Sequence, residues 1–325
     1  MSTVDLVLIG RNEGQRLIDA LRAATGQARR IVYVDSGSTD GSVDAARAAG
    51  AEIVTLDTST PFTAARARNA GAAALAYDPP DYVQFIDGDC ALVPGWVAAG
   101  VAFLDQNPGH ALVAGWRSEK SPEASLYNRL CDWEWHRPAG EIEACGGDML
   151  VRWSAFEATE GFDPTVIAAE DDELCQRLRK AGWSLHRLPH EMTRHDAAMT
   201  RFGQWWRRAE RTGHGFAQVG HLHPQYFVTE RRRALVYGAA LPLGACALGL
   251  LWPPLVLGPL AAYGLNFQRT RARLRREEAS DPTGFAALLT LSKLPNLIGM
   301  ARFHLRRLRG AEMRLIEYKG PEIRP

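Results

Sequence analysis

The sequence lacks what would staple a fold covalently or through metal. Its five cysteines (Cys90, Cys131, Cys145, Cys175, Cys246) are scattered, with no CxxC pair and no Cys/His ligand spacing. Neither a disulfide framework nor structural zinc is therefore expected. No GxGxxG and no GxxxxGK[ST] follows the first apolar run, which argues against a classical dinucleotide or P-loop site. There is no internal repeat and no low-complexity linker. The opening MSTVDLVLIGRNEG has no basic segment leading into a long apolar core, so no secretory signal is expected and the front region is assigned a reducing, cytoplasmic setting. The last absence is local: Ala234 to Gln268 carries no charged residue over 35 positions.

What is present describes a globular chain of 325 residues, 46% hydrophobic and 23% charged, long enough to bury a full core. Its net charge of +1 conceals an asymmetry. Residues 201–325 hold 20 Lys and Arg against 8 Asp and Glu, which leaves 18 against 29 in residues 1–200. An acidic front and a basic back point to two regions with different partners.

The front alternates. Asp5–Ile9, Ile31–Val34, Glu52–Leu56 and Tyr82–Ile86 read as strands. Between them lie helical segments: one after Asn12, which is placed to cap it, one through Val43–Ala49, and one over Thr63–Leu75. Such alternation predicts βαβ units, hence an α/β fold with a mostly parallel central sheet. Ligands of open α/β sheets bind beyond the carboxyl ends of the strands. Acids stand at those ends here. Asp35 comes after the second strand and is suited to a base edge or ribose. Asp87 and Asp89 come after the fourth, one glycine apart, close enough that a divalent cation would relieve their repulsion. Arg66 and Arg68, with Asn69 beside them, offer donors for a diphosphate. Each feature has a plainer reading: an Asp-Gly-Asp turn, a capped turn at Asp35, arginines on a solvated helix face.

Taken together, these residues carry a resemblance. Asn12-Glu13, VDSGSTDGS (34–42), RARNAG (66–71), FIDGD (85–89), GGDMLVR (146–152), GFD (161–163) and EDDELCQRLRKAG (170–182) stand in the order of a family 2 glycosyltransferase with the GT-A fold. The resemblance spans roughly residues 5–200. It implies a nucleotide-sugar donor, a divalent cation (Mg²⁺ or Mn²⁺) and inversion at the anomeric carbon. By the same resemblance, Glu13 and Asp35 lie near the nucleoside, with Arg68 and Asp87 also binding the donor. Asp89 is the metal ligand of the DxD pair, with His195 completing the coordination, and Asp171 is the general base. Two departures stand out. Ser36 replaces the second acid of the turn after strand two, and Arg208 stands where the processive synthases have the tryptophan of QxxRW, so processive polymerisation is not expected.

Asp171 also has a case of its own. Inverting transfer needs a group to take the acceptor hydroxyl's proton, and a carboxylate of raised pKa does this well. The run Glu170–Glu173 opens a helical segment, where acids equally serve to complement the helix dipole. Glu170, Gln204, Trp206 and Arg207 are assigned to the acceptor or phosphate end of the cleft; the paired tryptophans Trp205 and Trp206 suit an amphipathic anchor equally well.

The uncharged stretch 234–268 has Arg231–Arg233 before it and Arg269, Arg271, Arg273, Arg275 and Arg276 after it, with Trp252-Pro253-Pro254 near its middle. Basic flanks on both sides and a central helix break predict a hairpin that enters the membrane and returns. A single span and a buried helix pair are the alternatives. Residues of about 285–309 read as an interfacial helix with arginines on lipid headgroups. The expectation is thus a catalytic domain over 1–225 and membrane-associated helices over 226–325. The enzyme would be a hexosyl or N-acetylhexosaminyl transferase at the cytoplasmic face of the cell membrane. It would act on a lipid-linked or glycan acceptor in cell-surface glycan or polysaccharide synthesis, with no nucleic-acid partner. The rivals are a metal-dependent nucleotidyltransferase and a non-catalytic membrane scaffold that keeps the fold.

Overall fold

A computed structural model describes residues 2–314, 316 and 317. They form two compact units: the chain up to Ser121 with Glu134–Ala197, and Pro122–Trp133 with the chain from Ala198 on.

The first unit is built on one mixed sheet. Its strands are β1 (Val4–Gly10), β2 (Arg30–Asp35), β3 (Glu52–Thr55), β4 (Tyr82–Asp87), β5 (Cys90–Leu92), β6 (His110–Glu119), β7 (Gly140–Glu141), β8 (Met149–Arg152) and β9 (Ser184–His195). The order is β3-β2-β1-β4-β8-β6-β9-β5, with β7 on β9. The strands β3, β2, β1 and β4 run parallel, joined through helices Gln15–Ala24, Ser42–Ala48 and Ala64–Leu75. The alternation expected from the sequence is present, each of the four strands within one residue of its expected limits. Beyond β4 the sheet turns antiparallel through β8, which lies between β4 and β6.

Strand β1 is buried along nearly its whole length, which explains its near-continuous apolar run. Its one acid, Asp5, is fully buried and held by Arg29 and Arg30. That ion cluster sits at the start of β1, so the carboxyl ends of the parallel strands, with Asp35 and Asp87, lie at the opposite edge of the sheet. Asn12 does not cap the helix after it. It has φ 54°, and its Oδ1 accepts from the Thr39 backbone N–H at 2.7 Å, tying the loop after β1 to the loop after β2.

The second unit is helical. Helix Phe202–Leu222 groups here rather than with the sheet, because it crosses helix Lys293–Leu308 closely: a Cβ on Gly213 would strike the Asn296 backbone, and one on Gly299 the Glu210 backbone. Helices Val228–Leu235 and Leu241–Leu251 join through a π-turn at Val236–Ala240 into one rod of 24 residues. The rod ends at Trp252, whose extended backbone precedes the short 3₁₀ turn Pro253–Val256. Helix Leu257–Arg276 then runs back, and Tyr263 donates its hydroxyl to the Tyr237 carbonyl of the outgoing rod.

Candidate active site

Strand β4 delivers Asp87 to the sheet edge, and the Gly88 turn sets Asp89 immediately beyond it. Arg68 organises the surroundings. It projects from helix Ala64–Leu75, is 1% exposed, and donates to Asp87 Oδ1 and Glu170 Oε1, both at 2.7 Å. Burial acts to raise the Asp87 carboxyl pKa, but the guanidinium groups of Arg68 and then Arg117 hold it below the usual carboxylate value. With both terminal nitrogens paired and the side chain buried, Arg68 positions acids at this edge. Glu170, its side chain 7% exposed, is the second carboxylate paired to it.

The neighbours of Arg68 are spent in the same way. Arg66 donates to the carbonyls of Asp57, Thr60 and Pro61. Asn69 brackets Phe162, donating to its carbonyl at 2.7 Å and accepting from its N–H at 2.9 Å. Asp35 is buried and accepts from the Gly37 and Ser38 N–H groups at 3.0 Å and from the Tyr33 hydroxyl at 3.2 Å, which makes it the cap of its own turn. Glu13 pairs with Arg16 at 2.8 Å.

Asp89 and His195 come together. His195 Nε2 lies 3.4 Å from Asp89 Oδ2, and both side chains are buried. Strand β9 supplies the histidine through its antiparallel pairing with β5, which sets Cys90 opposite His195. The ring is fixed edge-on against Trp135 at 4.7 Å, and its Nδ1 faces Glu119 at 3.8 Å. Glu119 is charged: burial raises its pKa, but His195 and the N–H groups of Ala197 and Ser121 bring it below the ordinary value. Asp89, Cys90 and His195 offer ligand atoms within 4.8 Å of one another. Burial pushes the Cys90 thiol, 3.6 Å from Asp89 Oδ1, well up, and its soft sulfur is the poorest of the three donors for a hard divalent cation. A carboxylate oxygen and an imidazole nitrogen remain, a donor pair that fits a divalent cation of the Mn²⁺ type.

Asp171 sits in the first turn of helix Glu170–Lys180, whose four leading acids and trailing Arg177, Arg179 and Lys180 complement the helix dipole. Its carboxyl is pushed well above the ordinary value by burial first, then by the charges of Glu170 and Asp172, against the pull of Arg68.

Sequence reasoning missed Arg117 and Asp148. Asp148 is 1% exposed. It accepts from the Asp87 backbone N–H at 3.2 Å, from Arg117 Nε at 3.0 Å and from the Thr193 hydroxyl at 2.7 Å. Arg117 in turn reaches within 4.0 Å of Asp87. Gly147, just before Asp148, lies against Arg68 so closely that any Cβ there would overlap the guanidinium. The remaining expected residues lie in the second unit. Gln204 is the third residue of its helix and reaches back over the start, its Oε1 accepting from the Thr200 and Arg201 N–H groups at 3.0 Å. Trp206, against Phe202, and Arg207 are half-buried on the same helix.

This geometry agrees with comparisons to known proteins. Residues 7–148 match the glycosyl transferase family 2 model, and residues 126–201 match that of the N-terminal domain of galactosyltransferase. Over residues 7–148 the chain is similar to glycosyl transferase family 2 domains. Pre-mycofactocin glycosyltransferases from two strains of Mycobacterium tuberculosis are each 29% identical to it over 238 residues, covering 68% of this chain and 48% of theirs. The chain thus spans about half the length of those relatives. Among solved structures, it resembles a mannosyltransferase from Pyrobaculum calidifontis in complex with GDP-mannose and Mn²⁺ (TM-score 0.60, 16% identity, covering 93% of this chain and 87% of that one). It also resembles residues 1–349 of S. aureus TarS (TM-score 0.52, 13% identity, covering 88% and 90%). At such identities the likeness establishes the fold, which is GT-A.

Proposed function

We propose that the chain is an inverting glycosyltransferase, moving a hexosyl or N-acetylhexosaminyl group from a nucleotide-diphosphate donor to a hydroxyl of a lipid-linked or glycan acceptor. The observation that carries this reading is the Arg68 bridge. It joins the strand-end acid Asp87 to the helix that bears Asp171, so a donor-binding edge and a proton acceptor belong to one assembly. Asp171 takes the acceptor hydroxyl's proton as the new bond forms at the anomeric carbon, while the nucleoside diphosphate leaves from the opposite face. Asp89 and His195 would hold Mg²⁺ or Mn²⁺, which when bound supplies Lewis-acid neutralisation of the departing diphosphate. Arg117 and Asp148 keep Asp87 oriented, and Arg68 locks Glu170 beside Asp171. The names of the relatives, glycosyltransferases and a GDP-mannose- and Mn²⁺-bound mannosyltransferase, support a nucleotide-sugar donor and a cation here.

The same reading places the enzyme at the cytoplasmic face of the membrane, in cell-surface glycan or polysaccharide synthesis. Support comes from the exposed apolar residues around the hairpin turn: Leu243, Leu250, Leu251, Trp252 and Leu257 are each at least 60% exposed. The uncharged part of the return helix, Leu257–Gln268, is only about 18 Å long at 1.5 Å per residue. The hydrocarbon core is about 30 Å thick, so the hairpin dips in and returns, with its arginines on one side.

A panel of nucleotide sugars, with nucleoside triphosphates alongside, tests the function by calorimetry and transfer assay in Mn²⁺ or Mg²⁺. Asp89→Ala should abolish donor binding, and Asp171→Asn should bind donor but not transfer. No binding or turnover with any nucleotide sugar, or pyrophosphate release from a triphosphate, would sink the proposal.

A further inference from the structure

A second cluster shares no residue with the acid site. His110 opens β6, Glu141 lies in β7, and His186 lies opposite Glu141 in the β7–β9 pairing. Their ligand atoms fall within 4.8 Å of one another. Glu141 Oε1 is 2.8 Å from His110 Nε2 and 4.0 Å from His186 Nδ1. That Nδ1 is buried and makes no hydrogen bond. Both rings are held in place by Phe103, which stacks on His186 at 4.5 Å and meets His110 edge-on at 5.1 Å.

We propose that His110, Glu141 and His186 form a Zn²⁺ site separate from the donor cation site. Two imidazoles and one carboxylate make a zinc ligand set, and water completes the tetrahedron on the side where Glu141 is exposed. Ligands at about 2.0–2.2 Å on a tetrahedral ion stand about 3.3–3.6 Å apart. The Glu141 separations of 2.8 and 4.0 Å fall on either side of that spacing, so a small shift of the exposed carboxylate seats the ion, and His186 Nδ1 gains the hydrogen-bonding partner it otherwise lacks. The ion clamps the two-residue β7 to β9 and so fixes the start of the segment that delivers Gly147 and Asp148. Cysteine spacing gave no sign of it, because its ligands are strand residues brought together only by sheet pairing.

The test uses the full chain, stripped with a chelator, in a background of Asp89→Ala, Cys90→Ser and His195→Ala that disables both overlapping clusters at the acid site, Asp89–Cys90–His195 and Asp87–Cys90–Asp148. Titration with Zn²⁺, read by calorimetry and by metal content after desalting, should give one ion per chain and a Zn²⁺-dependent rise in Tm. Adding His186→Ala should remove both the bound ion and the zinc-dependent rise, whatever the lost stacking on Phe103 does to the Tm without zinc; if that variant misfolds, His110→Gln gives the same reading. Zinc content unchanged by either variant, or no bound zinc in the background protein, would overturn the site. Failed sugar transfer with zinc binding intact would refute the proposed function and leave this site standing.

Discussion

If Asp171 is the base, the acidic limb of the rate profile belongs to its carboxyl, and the neighbours that set its pKa can be varied one at a time. Asp171→Asn keeps the side chain's shape and the Oδ1 that accepts from the Asp172 N–H at 3.0 Å, but cannot take a proton. Loss of a general base costs about 10²–10⁴-fold in rate, or about 3–5 kcal/mol of barrier. The pH dependence is the sharper probe. A base works deprotonated, so kcat/KM rises with pH through its pKa in the free enzyme. Burial, Glu170 and Asp172 push that pKa up in this order, and Arg68 pulls it down. The limb should therefore lie above that of an ordinary aspartate. Glu170→Gln and Asp172→Asn each remove a neighbouring negative charge and should move the limb to lower pH, Glu170→Gln further. The assay is kcat/KM for nucleotide release across pH at saturating cation. A limb unmoved in both variants, or a loss of only two- or three-fold in Asp171→Asn, would place the base elsewhere.

Three further outcomes rest on the packing. Arg68→Met leaves Glu170 buried without its partner, and breaking such a pair costs about 3–5 kcal/mol; the thermal midpoint should fall, with Arg68→Lys intermediate because one ammonium cannot fork between two carboxylates. Gly147→Ala should disable donor binding because its methyl displaces the pinned Arg68, whereas Gly146→Ala, whose methyl meets nothing closer than 3.6 Å, should be tolerated; equal effects in calorimetry would refute the contact. Aspartates at Leu250 and Leu251 cost about 2.5–3.5 kcal/mol each in a membrane-embedded helix and should release the protein from sedimenting liposomes; unchanged sedimentation would mean the hairpin tip is not in lipid.

The parallel half of the sheet was legible because fully buried strands are written as short apolar runs ended by acids, as in Tyr82–Asp87. The antiparallel half was less so. Strand β9, which pairs parallel with β6 on the far side of β8, carries Arg187, His190 and Glu191 among its apolar residues and shows neither an unbroken run nor strict alternation. Asp148 was overlooked although the signal existed. It directly precedes the apolar run Met149–Val151, and an acid at the start of an antiparallel strand reaches the same sheet edge as one at the end of a parallel strand. Arg117 had no such sign, since its partner lies 31 positions away and only the pairing of β6 with β8 brings them together. The two acids paired with Arg68 were hidden for a related reason: a basic side chain in sequence gives no measure of how many acids will surround it.

That count has a consequence for donor binding. Six carboxylates (Asp87, Asp89, Glu119, Asp148, Glu170, Asp171) meet at this edge, and two guanidinium groups, Arg68 and Arg117, are paired among them in the described contacts. Even with Asp171 protonated, the acids outnumber the arginines, and a nucleoside diphosphate brings further negative charge to the same edge. Such a site repels its own donor unless a divalent cation accompanies it, so the diphosphate and not the nucleoside should carry the cation requirement. Titrating a nucleoside, its diphosphate and the diphosphate sugar with and without Mn²⁺ separates the two. Affinity for the diphosphates should collapse when Mn²⁺ is withheld, while that for the bare nucleoside stays unchanged. Diphosphate binding that survives chelation at full strength would mean that Arg68 and Arg117 alone balance the site, and the paired roles assigned to them would be wrong.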